Sequence, residues 1–193
     1  MKKIVCICVG VLMLNSTANA VSISFTDEFL YDDDRLYASF DVATTSNVVL
    51  RSLGYAGGTN AAGEVIADGG FDTLLFLFDA AGSLITSDDN SSGITSAQSG
   101  LSRDALLDLS LDAGSYTAVL TRFNNEYVSG DINLDSSWDQ IVSGFDGRST
   151  EFALDINIDS LTKPQVSVPE PLSFSLLGLG LAAVLSRRLF ASR

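Results

Sequence analysis

Histidine is missing from this chain, and cysteine is missing from nearly all of it. The 193 residues include no histidine, and the only two cysteines, Cys6 and Cys8, lie within the first 20 residues. Without these side chains the remainder of the chain lacks the common zinc sites, disulfides, and the Ser-His-Asp and Cys-His arrangements of nucleophilic catalysis. Its fold must therefore be stabilised by packing or by a bound ion.

Basic residues are scarce between the two ends of the chain. Residues 21–168 contain 23 Asp or Glu against 6 Lys or Arg, a formal charge of −17. An acidic surface of this kind repels nucleic acid and anionic membrane surfaces and attracts cations. Nucleic acid is therefore excluded as a partner of this part of the chain.

The first 20 residues have the pattern of a secretory signal peptide. Two lysines precede the apolar run 4–14, and Ala18 and Ala20 are the small residues that signal peptidase needs before its cleavage point. Cleavage there makes Val21 the first residue of the mature chain and removes both cysteines. Signal peptidase is thus a predicted partner, and export across the inner membrane is the expected route.

A separate apolar helix is predicted near the other end, over residues 172–186. Pro169 and Pro171 precede it and prevent an earlier strand from continuing, because each lacks an amide proton and has a fixed φ. At ~1.5 Å per residue, residues 172–185 span ~21 Å, less than a hydrocarbon core of ~30 Å. A basic tail follows it, which the positive-inside rule places in the cytoplasm. The segment is therefore predicted to be a marginal membrane anchor.

This ending resembles the PEP-CTERM sorting signal of exported bacterial proteins. Pro169, Glu170 and Pro171 match the motif, and Arg187 and Arg188 match its basic stop. The resemblance implies transient anchoring in the inner membrane and recognition by an exosortase-type membrane enzyme. It also implies transfer to the outer surface or the extracellular matrix of a Gram-negative-type bacterium. A permanent C-terminal tail anchor is the alternative, and it differs in leaving the C-terminus intact.

Residues 21–165 are predicted to form one all-β domain between the signal peptide, 1–20, and the sorting segment, 166–193. Apolar and polar residues alternate with period two in several segments, which buries one face of each strand. Segment 73–78 is apolar on both faces, as a strand covered on two sides is. With glycine-containing turns and no amphipathic helix, the pattern predicts a single antiparallel β-sandwich of jelly-roll type. The eight predicted strands are 22–25, 36–42, 48–53, 73–78, 83–86, 105–111, 116–123 and 151–158.

A second resemblance covers about residues 38–123, which are similar to the bacterial pre-peptidase C-terminal domain. The matching positions are Gly70, Phe71, Asp72, Leu75, Leu77, Phe78, Asp79, Gly82, Leu84, Ile85, Asp88, Asp89, Leu107, Leu109, Leu111, Ala113, Gly114, Tyr116, Leu120 and Thr121. The resemblance implies a β-sandwich of the kind appended to secreted proteases, some of which bind calcium or matrix polymers. This chain carries no protease, so the resemblance suggests binding and no inherited catalysis.

Calcium is the candidate cofactor. Ca²⁺ needs 6 to 8 oxygen ligands, and Asp72, Asp88, Asp89 and Asn90 converge if the hairpin 73–86 brings its ends together. The alternative is that these are solvated turn residues, because Asp and Asn favour turns for backbone reasons. Two other acidic segments are read as solvent-facing: the run Asp32 to Asp34, and Asp155 in its alternating strand.

The loop 124–150 contains the single tryptophan of the chain. Loops of this length in a compact domain are commonly functional. Tyr127, Trp138 and Phe145 are candidate stacking platforms for sugar rings. The alternative is that these aromatic side chains fix the loop to the core.

Three functional classes follow from the sequence. The first is a non-catalytic exported protein with a structural or adhesive role at the cell surface or in an extracellular polysaccharide matrix. The second is a calcium-dependent carbohydrate-binding module. The third is a glycoside hydrolase with two carboxylates ~5–9.5 Å apart, for which no pair of acids stands out.

Overall fold

A computed structural model describes residues 20–139 and 144–160. The predicted signal-peptide residues before Ala20, including Ala18, lie outside the described residues. So does the whole predicted sorting segment 166–193, with Pro169, Glu170, Pro171, Arg187, Arg188 and the predicted membrane helix. In the part of the chain that is described, no helix is long and apolar enough to cross a bilayer.

The regular secondary structure of the described residues is almost entirely β-strand, joined by turns and loops. Helical turns are confined there to one short 3-10 helix, Asp135–Ser137. The strands are β1 Ala20–Glu28, β2 Leu36–Val42, β3 Ser46–Leu53, β4 Gly58–Thr59, β5 Val65–Ile66, β6 Thr73–Asp79, β7 Leu84–Asp88, β8 Leu106–Leu111, β9 Gly114–Arg122 and β10 Glu151–Ser160.

Eight of these strands form two four-stranded sheets. The order is β1-β10-β3-β8 in the first sheet and β2-β9-β6-β7 in the second, with every neighbouring pair antiparallel. The chain changes sheet at every connection between these strands except the β6–β7 hairpin, as in a jelly roll. The all-β antiparallel fold class predicted from the alternation is therefore confirmed. The small β4–β5 pair was not predicted.

The main core lies between the two sheets. Inward-facing side chains of both contribute to it, including Val48, Leu50 and Ile156 from the first sheet and Leu75 and Leu77 from the second. Each such side chain contributes ~1.5–3 kcal/mol when fully buried. The apolar residues of the period-two pattern are therefore those that face this interior between the sheets.

A second apolar cluster covers the outer face of strand β6. Leu74, Phe76 and Phe78 of that strand pack there with Val119 and Trp138. The covering residues come from the loop after β9, which folds back over the sheet. This explains why β6 is apolar on both faces.

Strands β1 and β10 pair side by side, so both ends of the described domain lie together. Ala20 lies opposite Asp159 at one end of the sheet, which we call the proximal end. Glu28 lies opposite Glu151 at the other, which we call the distal end. The first and last described residues of the domain, Ala20 and Ser160, therefore both lie at its proximal end.

Two acidic residues predicted to face solvent are buried. Asp155 is only 3% exposed, because the β4–β5 connection covers it and the Ala61 amide donates to both of its carboxylate oxygens, at 3.0 and 2.9 Å. Asp32 is 5% exposed and accepts a hydrogen bond from the Gly144 amide. Both carboxylates serve as acceptors for loop backbone, which strand alternation does not reveal.

Candidate binding site

The predicted calcium ligands do not form one cluster. Asp88 uses its oxygens locally, accepting hydrogen bonds from the Ser91 amide at 3.0 Å, the Ser91 hydroxyl at 2.6 Å and the Leu106 amide at 2.9 Å. Asn90 is exposed. Over residues 20–139 and 144–160, no three acidic side chains come together in an arrangement that would hold a metal ion. The four-residue ligand set is therefore not assembled in this structure, and calcium remains a prediction.

Asp72 and Asp89 do have an unusual environment. Asp72 is ion-paired with Arg103 at 2.5 Å, while its other oxygen, Oδ1, is buried without a hydrogen-bond partner. Oδ1 of Asp89 is also buried and unpartnered. Burial raises the pKa of Asp72 against the opposing effect of Arg103, and burial together with the charges of Asp72 and Asp88 raises the pKa of Asp89.

The three predicted stacking aromatics are not brought together. Trp138 is 4% exposed and meets Phe76 and Tyr127 edge-on at 5.4 Å each, and its Nε1 donates to the Ile132 carbonyl at 2.9 Å. No face of this indole is open to a sugar ring, so Trp138 is not the predicted platform. It fixes the loop to the sheet instead, as the alternative proposed.

Tyr127 belongs to the same cluster as Trp138. Its ring meets Phe78 at 4.9 Å, and its hydroxyl donates to the Gly130 carbonyl at 2.8 Å. Phe145 lies elsewhere, at the distal end, where it contacts Phe71 at 5.5 Å. Of the three aromatics, only Phe145 lines a cavity at that end.

That cavity has a volume of about 380 Å³. Its charged and aromatic lining consists of three arginines, four aromatic rings and two aspartates. These are Arg103, Arg122, Arg148, Tyr55, Phe71, Phe123, Phe145, Asp72 and Asp146. We call it the arginine pocket.

The antiparallel topology assembles the arginine pocket from distant parts of the sequence. Arg122 is the last residue of β9 and lies opposite Thr73, the first residue of β6, so Phe71 and Asp72 arrive beside it. Arg103 precedes β8 and Arg148 precedes β10. Each arginine is therefore placed by the end of a different strand.

The arginines are held by aromatic rings and by carbonyl or carboxylate oxygens. The Arg148 guanidinium lies 4.4 Å from the Tyr55 ring centre and donates to the Tyr55 hydroxyl and the Gly70 carbonyl, both at 3.3 Å. Arg103 lies over the same ring at 5.6 Å. Arg122 lies 6.0 Å from the Phe145 ring and donates to Asp146 at 3.4 Å. Such contacts fix the orientation of planar guanidinium groups.

Sequence reasoning missed Asp104, the residue that positions Tyr55. This carboxylate is fully buried and accepts hydrogen bonds from the amides of Gly54 at 2.7 Å, Tyr55 at 2.9 Å and Ala56 at 2.8 Å. Burial raises the pKa of Asp104 although these amide donors act to lower it. An aspartate beside a strand is common in any acidic chain, so no sequence signal distinguishes it.

A larger groove lies on the outer face of the β2–β9 pair. Its volume is about 820 Å³, and its lining is polar and acidic, including Ser39, Asp41, Asp79, Thr117 and Asp131. No arginine or lysine is among its lining residues. The groove is suited to cations or neutral polar groups, in contrast to the arginine pocket.

Comparisons with known proteins leave the family of this chain unassigned. No protein-family model matches the chain, and no curated protein matches it. Among solved structures, it is similar to the pre-peptidase C-terminal domain of a collagenase from Bacillus anthracis. The identity is 8%, the TM-score is 0.38, and the match covers 72% of this chain and 89% of that chain. A likeness at this level assigns neither a ligand nor an activity.

Proposed function

We propose that this chain is a non-catalytic exported protein with a structural or adhesive role. Signal peptidase and an exosortase-type enzyme process it, and its sandwich is displayed on the outer surface or in an extracellular polysaccharide matrix. The supporting observation is that β10, the last strand of the described residues, ends at Ser160, before the Pro-Glu-Pro motif begins at Pro169. Removal of residues 166–193 therefore takes no residue from the strands that the structure describes.

The test is the mature C-terminus and location of the chain in a bacterium with an exosortase. We expect wild-type protein outside the inner membrane with its terminal residues removed. Replacing Pro169, Glu170 and Pro171 by alanine should leave uncut protein in the inner membrane, while replacing the terminal Arg193 by alanine should change nothing. Mass spectrometry of each fraction measures this. An intact Arg193 on surface-located protein would refute sorting by cleavage.

A calcium-dependent carbohydrate-binding module is the second candidate. The observation that favours it is the pair of buried, unpartnered oxygens on Asp72 and Asp89. Calcium at 100 times its Kd would stabilise the domain by about 2.7 kcal/mol, so thermal unfolding with calcium and with chelator should differ by several degrees. Asp89→Asn should abolish the difference, and Asp159→Asn, on the proximal end, should preserve it. Identical unfolding with calcium and with chelator would remove this candidate.

A further inference from the structure

We propose that the arginine pocket binds the carboxylate of a single uronate residue within an otherwise neutral polysaccharide. The proposal takes the source of the ligand from the proposed display in a polysaccharide matrix. Binding itself depends only on the pocket and is tested separately from export.

Positive charge is concentrated in the arginine pocket, although the domain as a whole is acidic. Three of the six basic residues in 21–168 line this one cavity. Two aspartates, Asp72 and Asp146, line it too, so the formal charge of the lining is +1. A monoanion matches this charge, whereas the second charge of a phosphate would meet both aspartates and the negative field of the whole domain.

The arginine pocket also has hydrogen-bond donors to spare for a ligand. A guanidinium carries five N–H donors in a planar fork. Among the residues that the structure describes, Arg103 donates to Asp72 alone, and Arg148 makes two hydrogen bonds of 3.3 Å. The Arg103 side chain is 42% exposed, so its remaining donors are accessible from the cavity. A planar carboxylate accepts two parallel hydrogen bonds from the N–H groups of one guanidinium. This paired geometry favours a carboxylate over a ligand that accepts only one hydrogen bond.

The size and the aromatic lining of the cavity fit a sugar ring. Its volume of about 380 Å³ falls near the lower end of the ~300–1,000 Å³ range of small-molecule pockets, which suits one sugar ring. Phe123 and Phe145 are half-buried and line it, so part of each ring is accessible. The apolar C–H face of a pyranose packs on such rings while its carboxylate is held by arginine.

The charge of the domain then selects the kind of polymer. A continuous polyuronate would place many negative charges against a surface that carries −17 over residues 21–168. Repulsion along the chain would offset the gain at the pocket. A lone uronate branch or chain end escapes this repulsion. The pocket also lies at the distal end, away from the point where the sandwich continues into the sorting segment.

The experiment is an NMR titration of the full chain in a nonionic detergent. The probes are methyl glucuronide and methyl glucoside, which differ in the carboxylate, with methyl glucoside 6-sulfate, inorganic phosphate and polygalacturonate as comparisons. We expect methyl glucuronide to shift pocket resonances and to bind at least about tenfold more tightly than the glucoside, the effect of one charge-assisted contact. Per uronate, polygalacturonate should bind no more tightly than the monosaccharide.

Variants locate the binding. Arg148→Gln should weaken the binding of methyl glucuronide by about tenfold. Arg148→Lys should not restore this affinity fully, because lysine lacks the planar set of donors of a guanidinium. Phe145→Leu changes no charge and should also weaken the binding of methyl glucuronide, because the sugar loses an aromatic ring to pack on. Arg51→Gln, which removes a charge from β3 outside the pocket, is the matched control and should bind within about twofold of wild type. Unchanged melting temperatures establish that the variants are folded.

Three outcomes would overturn the proposal. One is equal binding of glucuronide and glucoside, or no binding of either. The second is tighter binding of the sulfate, phosphate or polyuronate than of the glucuronide. The third is equal loss in Arg51→Gln and Arg148→Gln. A chain that binds glucuronide but stays in the cytoplasm would refute the proposed export and leave this inference standing.

Discussion

Asp104 holds the backbone segment that carries Tyr55 into the arginine pocket. By accepting three consecutive amides from residues 54–56, it fixes the loop that presents Tyr55 to Arg103 and Arg148. Burial of the carboxylate costs desolvation, and its hydrogen bonds offset only part of that cost, so the pKa of Asp104 is raised. Removing the Asp104 carboxylate would therefore leave the amide donors of residues 54–56 without their acceptor.

We predict that Asp104→Ala lowers the free energy of unfolding by about 2–4 kcal/mol, because three amide donors lose their acceptor. Asp108→Ala, at an exposed position in the adjacent strand, is the control and should cost less than about 0.5 kcal/mol. Urea unfolding measures both. Equal effects of the two substitutions would show that the buried hydrogen bonds of Asp104 do not add to the free energy of unfolding.

The raised pKa of Asp104 predicts a pH dependence of definite sign. The folded state binds this proton more tightly than the unfolded state, whose reference pKa is 3.8. The stabilising contribution is therefore complete below about pH 3.8 and is lost as the pH rises through the folded pKa. The difference in unfolding free energy between wild type and Asp104→Asn should shrink over that window in urea titrations. A difference that grows with pH would indicate a depressed pKa instead.

Gly70 marks a close approach of two backbone segments beside the pocket. A Cβ there would lie 2.4 Å from the Gly54 carbonyl oxygen. Gly70→Ala should therefore destabilise the domain by about 2–4 kcal/mol, because backbone must move. Gly63 has a positive φ of 87° but open space around it, so Gly63→Ala should cost only about 1 kcal/mol. Thermal unfolding of both variants tests this, and the reverse ranking would contradict it.

At the scale of elements, the loop after β9 acts as a third layer over the second sheet. Its Trp138 packs against Phe76 and closes the outer apolar cluster. Trp138→Ala should therefore cost about 3–5 kcal/mol, as large-to-small changes in cores do. Leu134→Ala, at an exposed position of the same loop, is the control and should be nearly neutral. A stable Trp138→Ala variant would mean that the loop contributes little to folding.

Strand positions were predictable where period two is clear, and unpredictable where it is weak. Strands β2, β3 and β6 lie within a residue or two of the predicted segments because each buries a regular set of apolar residues. Strand β1 runs from Ala20 to Glu28, well beyond the predicted 22–25. It is an edge strand whose outer residues are exposed, so its ends carry no apolar signal. The two-residue strands β4 and β5 are too short for any period.

The site was less predictable than the fold. Arg103, Arg122 and Arg148 are far apart in sequence, and only the pairing of strand ends brings them to one cavity. Trp138 failed as a predicted platform because a loop has no periodicity to show which side chains fold inward. Phe145 was named from the same loop, yet only the structure places it beside Arg122.

At the scale of the whole molecule, charge repulsion opposes folding at neutral pH. Residues 21–168 carry 23 acidic side chains, so partial protonation and added salt both reduce self-repulsion. We predict a higher melting temperature at pH 5.5 than at pH 8, with a smaller difference in 0.5 M salt. A gain of 1 kcal/mol corresponds to about 4 °C in a domain of this size. The single tryptophan gives the signal, and a lower melting temperature at pH 5.5 would contradict the prediction.

Strand β10 lies between β1 and β3, bonded to a neighbour on each side along almost its full length. A force applied between Ser160 and the arginine pocket at the distal end runs roughly parallel to this strand. Such a force acts along the hydrogen-bonded pairs β1–β10 and β10–β3 in shear. Many backbone hydrogen bonds then bear it together, whereas a force across the strands would break them one after another. The sandwich should therefore resist unfolding by a force applied between these two points more strongly than by a force that separates the strands one pair at a time.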